Sequence, residues 1–200
     1  MTKTVVVTCG ATVPFPKLIE VLLEIRTLEK VRSLGYDRII LQYGRGFNLK
    51  FKQLLAAVNG IKCKPAGTNG SLSAKELGND HFDVGDYRGV EILGLDFTPN
   101  ILQLISAHAD VVISHAGTGS ILDALRASKP LIAVVNTSLM DNHQRQIADK
   151  FESRGYLWSA DPRAEDVIAS LEKAQYGARS TLPNGFNSAF EQLLAETAYS

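Results

Sequence analysis

Within this 200-residue chain the stretch Ser114-His115-Ala116-Gly117-Thr118-Gly119-Ser120, followed by Asp123, has the types and spacing best suited to chemistry. The apolar run Val111-Val112-Ile113 reads as a buried strand. It breaks into two glycines flanked by hydroxyls, and helical spacing resumes through Ser128 before Lys129-Pro130 stops it. A strand, a tight glycine turn and a helix start present unbonded backbone N–H groups and the positive end of a helix dipole, which together receive a phosphate. The amides near Thr118, Gly119 and Ser120, with the two hydroxyls, suit a diphosphate. Ser120-Ile121-Leu122-Asp123 also fits a capping box, with Ser120 as N-cap and Asp123 reaching back. Such a cap stabilises a helix by roughly 0.5–2 kcal/mol and needs no ligand. The residues alone favour neither use, and the two compete for Asp123.

A second polar group, Asp141-Asn142-His143-Gln144, opens a later helix. Asp141 and Gln144 have cap spacing, yet four consecutive polar side chains exceed what a cap needs and suit a ligand rich in hydroxyls. Cys9-Gly10-Ala11-Thr12-Val13-Pro14 follows the first strand. Only Gly10 of the G-x-G-x-x-G dinucleotide pattern is present, and no Walker lysine-serine pair occurs, so Gly10 and Thr12 are either ligand contacts or a plain turn. Cys9 has no base placed beside it and reads as a small buried thiol. Gln42-Tyr43-Gly44-Arg45-Gly46 puts a glycine and an arginine at another strand end, where Arg45 either meets a phosphate or is simply solvated. His81 and His108 receive no role, and no ligand spacing for a metal is found.

The elements that must position these groups alternate. Strands are expected at Thr4–Thr8, Arg38–Gln42, Val90–Leu93, Val111–Ser114, Leu131–Val135 and Tyr156–Ser159. Helices are expected over about 16–34, 48–58, 100–109, 120–128, 142–154 and 164–175, and a last amphipathic one from Asn187 carries Phe190, Leu193 and Leu194 on one face. Gly35 and Gly155 stand where a left-handed residue ends a helix. Apolar strands alternating with helices predict an α/β fold, a mostly parallel sheet with helices on both faces and its ligand at the strand carboxyl ends. Residues 65–88 follow no period and carry the acidic cluster Asp80, Asp83 and Asp86, so a long surface loop or irregular strands are expected there.

Composition narrows the function. The chain is 45% hydrophobic, with 21 basic and 21 acidic residues and no net charge. A folded domain with its own core is expected, and neither a nucleic-acid footprint nor a polybasic membrane patch. No apolar run approaches the ~20 residues that cross a bilayer, and the opening residues do not read as a secretory leader. Cys9 and Cys63 are too few for a disulfide framework, so reduced thiols and a cytoplasmic location are expected.

At His115 to Ser120 with Asp123, at Lys129-Pro130 and at Asp141 to Gln144 the chain resembles the nucleotide-sugar half of the MurG-like glycosyltransferases, whose active site lies between two Rossmann-like domains. Within that family it is most similar to the soluble catalytic subunits of the eukaryotic two-component UDP-N-acetylglucosamine transferases of asparagine-linked glycosylation. Thr8-Cys9-Gly10-Ala11-Thr12-Val13-Pro14-Phe15, Ser114 to Asp123 and Ser138-Leu139-Met140-Asp141-Asn142-His143-Gln144 carry the likeness, which runs from about residue 4 to the C-terminus. It implies a Rossmann-like donor-binding domain over residues 1–176, the C-terminal half of a GT-B enzyme, with a linker and partner-docking helix over 177–200. The implied reaction transfers N-acetylglucosamine from its UDP donor to N-acetylglucosaminyl-diphosphodolichol with inversion, giving a β1,4 linkage. Gly10, Thr12, His115, Gly117, Thr118, Gly119, Ser120, Asp123, Asn142, His143 and Gln144 would line the donor site. The diphosphate falls to residues 118–120, the ribose to Asp123, and the sugar with its linking phosphate to His143 and Gln144.

The catalytic base is expected on a membrane-anchored partner, with His115 the weaker alternative, and neither cofactor nor metal is implied. That partner would bring the chain to the cytosolic face of the endoplasmic reticulum, because 200 residues cover only one of the two domains such enzymes need. Two departures from the bacterial enzymes stand out: Asp123 replaces Glu, and Ile147 replaces Asn.

Overall fold

The computed structural model describes residues 2–10, 14–64, 70–136, 143–177 and 179–180. The chain runs β1 (Thr4–Thr8), α1 (Pro16–Leu23), α2 (Ile25–Ser33), β2 (Arg38–Gln42), α3 (Asn48–Ala57), β3 (Ile61–Cys63), α4 (Ala74–Leu77) and β4 (Phe82–Tyr87). It continues with β5 (Val90–Leu95), α5 (Ile101–His108), β6 (Val111–His115), α6 (Thr118–Arg126), β7 (Leu131–Val134), α7 (His143–Ser153), β8 (Trp158–Ala160) and α8 (Ala164–Tyr176). One eight-stranded sheet has the order β3-β4-β5-β2-β1-β6-β7-β8. From β5 to β8 every pairing is parallel, while β3 and β4 form an antiparallel margin.

The strands are apolar on both faces because both faces are covered. Val5 and Val7 join a core with Leu18, Leu28, Phe51 and Leu171, under α1, α2, α3 and α8. Val6, Ile40 and Val112 point the other way, into a core with Leu104, Ile121 and Phe151 under α5, α6 and α7. The expected helices on both faces are therefore present.

Three local expectations change. The single helix over 16–34 is two, broken at an extended Glu24. Leu18, Leu22 and Leu23 face the core before the break, and Thr27, Leu28 and Val31 after it. At 100° per residue these sets lie on roughly opposite sides of one continuous helix, so the break rephases the chain and keeps both buried. Ile61–Cys63, beyond the expected helix over 48–58, adds the short edge strand β3.

Residues 65–69 lie outside the described ones, but 70–88 are not a structureless loop. They hold α4, closed by a capping box between Ser73 and Glu76, and β4, which forms a hairpin with β5. Glycine suits position 85, where an added Cβ would come within 3.1–3.3 Å of Ile61 and Leu55. Asp83 meets Lys52 at 3.5 Å.

The chain leaves β1 toward β2 on one side and later returns to build β6 and β7 on the other. The reversal of strand order falls between β1 and β6, the place where open α/β sheets bind ligands in a crevice outside the carboxyl ends.

Candidate active site

Both walls of that crevice end in glycine turns. Gly10, just past β1, has φ of 87°, a left-handed conformation that glycine adopts freely. His115 closes β6 and sets its ring against this turn, since a Cβ on Gly10 would lie 3.1 Å from the ring's Cε1. A Cβ on Gly117 would lie 2.3 Å from Nε2. The two glycines form a slot filled by one imidazole.

His115 Nδ1 is 3.3 Å from the Thr8 carbonyl oxygen. A carbonyl only accepts, so Nδ1 carries the proton and Nε2 of the neutral ring holds a lone pair. Burial pulls the His115 pKa down, opposed by the bond to Thr8. The ring is thus a neutral wedge that ties the β6 turn to β1.

Gly117 is the N-cap of α6, and no side chain caps this end. The first backbone bond of the helix runs from the Ile121 N–H to the Gly117 carbonyl at 3.0 Å. The amides of Thr118, Gly119 and Ser120 precede it, outside the helix's own bonds, at its positive end. Gly119 is exposed, and an added Cβ would meet no atom within 4 Å. This geometry overturns the capping-box alternative: the helix starts two residues before Ser120, which sits inside the first turn, and Asp123 does not reach back. Half-buried Asp123 stands on the following turn, its pKa raised by burial and opposed by Arg126.

From β7 the chain delivers Asn136, whose N–H donates to Gln144 Oε1 at 3.3 Å near the start of α7. Gln144 therefore carries a backbone tie beside the crevice. Asp141, Asn142 and Thr12 lie outside the described residues, as does the side chain of His143, the first residue of α7. Ile147 is buried in the core under α7. The structure brings Gly10, His115, residues 117–120, Asp123 and Gln144 to one sheet edge. Among the described residues no group of three or more His, Cys, Asp or Glu is placed to hold a metal ion.

Pattern reading passed over Gln42 and the turn after β5. Buried Gln42 accepts from the Thr98 N–H at 3.2 Å and reaches the Gly10 carbonyl at 3.5 Å, bracing the turns after β1 and β5. Asn79 donates to Asp96 Oδ1 at 2.8 Å and to the Phe97 carbonyl at 2.7 Å, which fixes that second turn. The signal available in sequence was the polar and proline content of Asp96 to Asn100 directly after an apolar strand.

Residues 68–196 match the glycosyltransferase family 28 C-terminal domain. The fold is also that of the Acinetobacter baumannii MurG crystal structure, at a TM-score of 0.57 and 15% identity, over 98% of this chain and 50% of that one. Fold and match together define the C-terminal, GT-B-type domain of a family 28 glycosyltransferase. The chain is 45% identical over 199 residues to the UDP-N-acetylglucosamine transferase subunit ALG13 of Kluyveromyces lactis, covering 99% of each. It is also similar to the NMR solution structure of ALG13, with a TM-score of 0.78, 40% identity and coverage of 100% of this chain and 98% of that one. The chain therefore belongs to the ALG13 family of UDP-N-acetylglucosamine transferase subunits.

Proposed function

We propose that this chain is the donor-binding catalytic subunit that transfers N-acetylglucosamine from UDP-N-acetylglucosamine to N-acetylglucosaminyl-diphosphodolichol, with inversion and a β1,4 linkage. The observation that carries this reading is the uncapped start of α6 at the switch point, with Gly119 open to a ligand. Fixed amides at that end meet the negative charge that grows on the departing UDP, and they need no reorganisation as the bond breaks. In this reading His115 holds the turn, Asp123 takes the ribose hydroxyls, and His143 with Gln144 takes the sugar and its linking phosphate.

The acceptor 4-hydroxyl must lose a proton as it attacks. His115, wedged between two glycines with Nδ1 committed to Thr8, is poorly placed for that role. A base from a second lobe suits the geometry better. The Kluyveromyces lactis relative, covered over 99% of its length, is named as a subunit, and the chain spans half of MurG. Among the described residues no helix is long and apolar enough to cross a membrane. These facts support a membrane-anchored partner that supplies the acceptor lobe and recruits the chain to the cytosolic face of the endoplasmic reticulum.

The test is transfer of radiolabelled N-acetylglucosamine to the dolichol acceptor by this chain alone and with its membrane partner. Product is expected only from the pair. Product from the chain alone contradicts the divided site. Binding of donor without transfer by the pair points instead to a non-catalytic nucleotide-sugar module, and release of free sugar points to an epimerase-like or hydrolytic enzyme.

A further inference from the structure

A cationic side chain, Arg45, stands at the same sheet edge. β2 ends at Gln42, and Tyr43-Gly44-Arg45-Gly46 turns outward beyond it. Gly44 and Gly46 have φ of 93° and 79°, so the segment bends sharply on either side of Arg45. A Cβ on Gly44 would lie 3.4 Å from the Gly10 carbonyl and from Pro14, so this turn packs directly on the turn after β1. The exposed Arg45 guanidinium lies 4.4 Å above the ring of Phe97, which the β5 turn supplies. The ring face attracts the guanidinium and favours this position for the fork.

Most arginines of the chain, Arg38 and Arg145 among them, sit against a carboxylate. Among the described residues none lies within ion-pair distance of Arg45, so its charge is pinned in position and unneutralised. A planar, fixed, uncompensated guanidinium is the side chain suited to bidentate contact with a phosphate.

That phosphate differs from the donor's. β2 is separated from β6 by β1. Two strand spacings put the end of β2 about 10 Å from the start of α6. One diphosphate does not span both places. Two diphosphates joined through the reacting sugars do, since the donor sugar bond and one acceptor ring separate them. We infer that Arg45, stacked on Phe97 and braced through Gln42, forms an anion subsite for the diphosphate of the lipid-linked acceptor.

This inference rests on the transfer reaction proposed above. It assigns to the donor-side chain a contact with the acceptor. A guanidinium that only packs on an aromatic leaves both substrates unaffected.

The test uses the reconstituted pair, UDP-N-acetylglucosamine, and acceptors bearing a diphosphate or a monophosphate on the same short prenyl chain. Arg45→Ala is expected to raise KM for the diphosphate acceptor by about tenfold or more, and KM for UDP-N-acetylglucosamine by less than about twofold. Arg45→Lys restores part of the loss, and Phe97→Leu, which frees the fork, gives a smaller rise in the same constant. The penalty for Arg45→Ala shrinks with the monophosphate acceptor. An unchanged acceptor KM, or a rise shared equally with the donor, overturns the subsite and leaves the transfer reaction standing. Absence of transfer by the wild-type pair overturns both.

Discussion

Gly119→Ala separates a ligand site from a packing site more cleanly than any other change. The added methyl meets no protein atom within 4 Å, and the position lies in the first turn of α6. Glycine in a helix is about 0.5–1 kcal/mol less favourable than alanine, so the variant should be more stable by roughly that amount. For a domain of this size the melting temperature should rise by about 1–4 °C. The Cβ of a helical residue leans toward the helix N-terminus, so the same methyl projects over the amides proposed to receive the diphosphate.

Loss of one hydrogen bond to a charged group weakens binding by about 1.5–3 kcal/mol, or about 10- to 100-fold in donor KM. Gly117→Ala is the control. Its Cβ would fall 2.3 Å from His115 Nε2, and displacing a wedged ring should destabilise the fold by about 1–3 kcal/mol. Thermal melts paired with donor KM in the reconstituted transferase read both quantities. A more stable Gly119→Ala with unchanged donor KM refutes the reasoning, because the glycine then serves no ligand.

Three further outcomes follow from the same geometry. Asp123→Ala should raise donor KM by about 10- to 100-fold through the lost ribose contact, while a melt shows little change, because no cap is broken. The folded chain protonates His115 less readily than the unfolded chain, whose imidazole titrates near 6.5. Stability is therefore full above that pH and declines as pH falls from it toward the lower folded value. His115→Asn should show a smaller stability difference between about pH 7.5 and pH 5.5 in denaturant titrations. Ser128 closes the connection after α6 with φ of 54°. Relief of that left-handed conformation in Ser128→Gly should stabilise the domain by about 1 kcal/mol with transfer unaffected, read as a rise in melting temperature.

The parallel sheet was legible because strands buried on both faces are apolar at successive residues, as Val5-Val6-Val7 and Val111-Val112-Ile113 show. The hinge was legible because glycines interrupt that pattern at a strand end. Its meaning was not, since Ser120 and Asp123 have cap spacing and only the observed helix start at Thr118 removes that option. Residues 65–88 read only as a loop or irregular strands, without β4 being placed, because Asp83, Gly85 and Asp86 dilute its alternation and a glycine there answers to the distant Leu55 and Ile61. The brace from Gln42 to Thr98 joins residues 56 apart in sequence, a separation that no local period encodes. Local patterns thus marked the glycine turns at the carboxyl edge of the sheet, while the ties that hold those turns are tertiary.

The central claim is that the first amides of α6 receive the donor diphosphate. Titration of UDP-N-acetylglucosamine into the isotope-labelled chain held by its proposed membrane partner, followed through the backbone amide resonances, tests it most directly. Thr118, Gly119 and Ser120 should shift together in proportion to donor occupancy, with Asp123 following. An active pair whose resonances at these three amides stay fixed as the donor saturates contradicts the account.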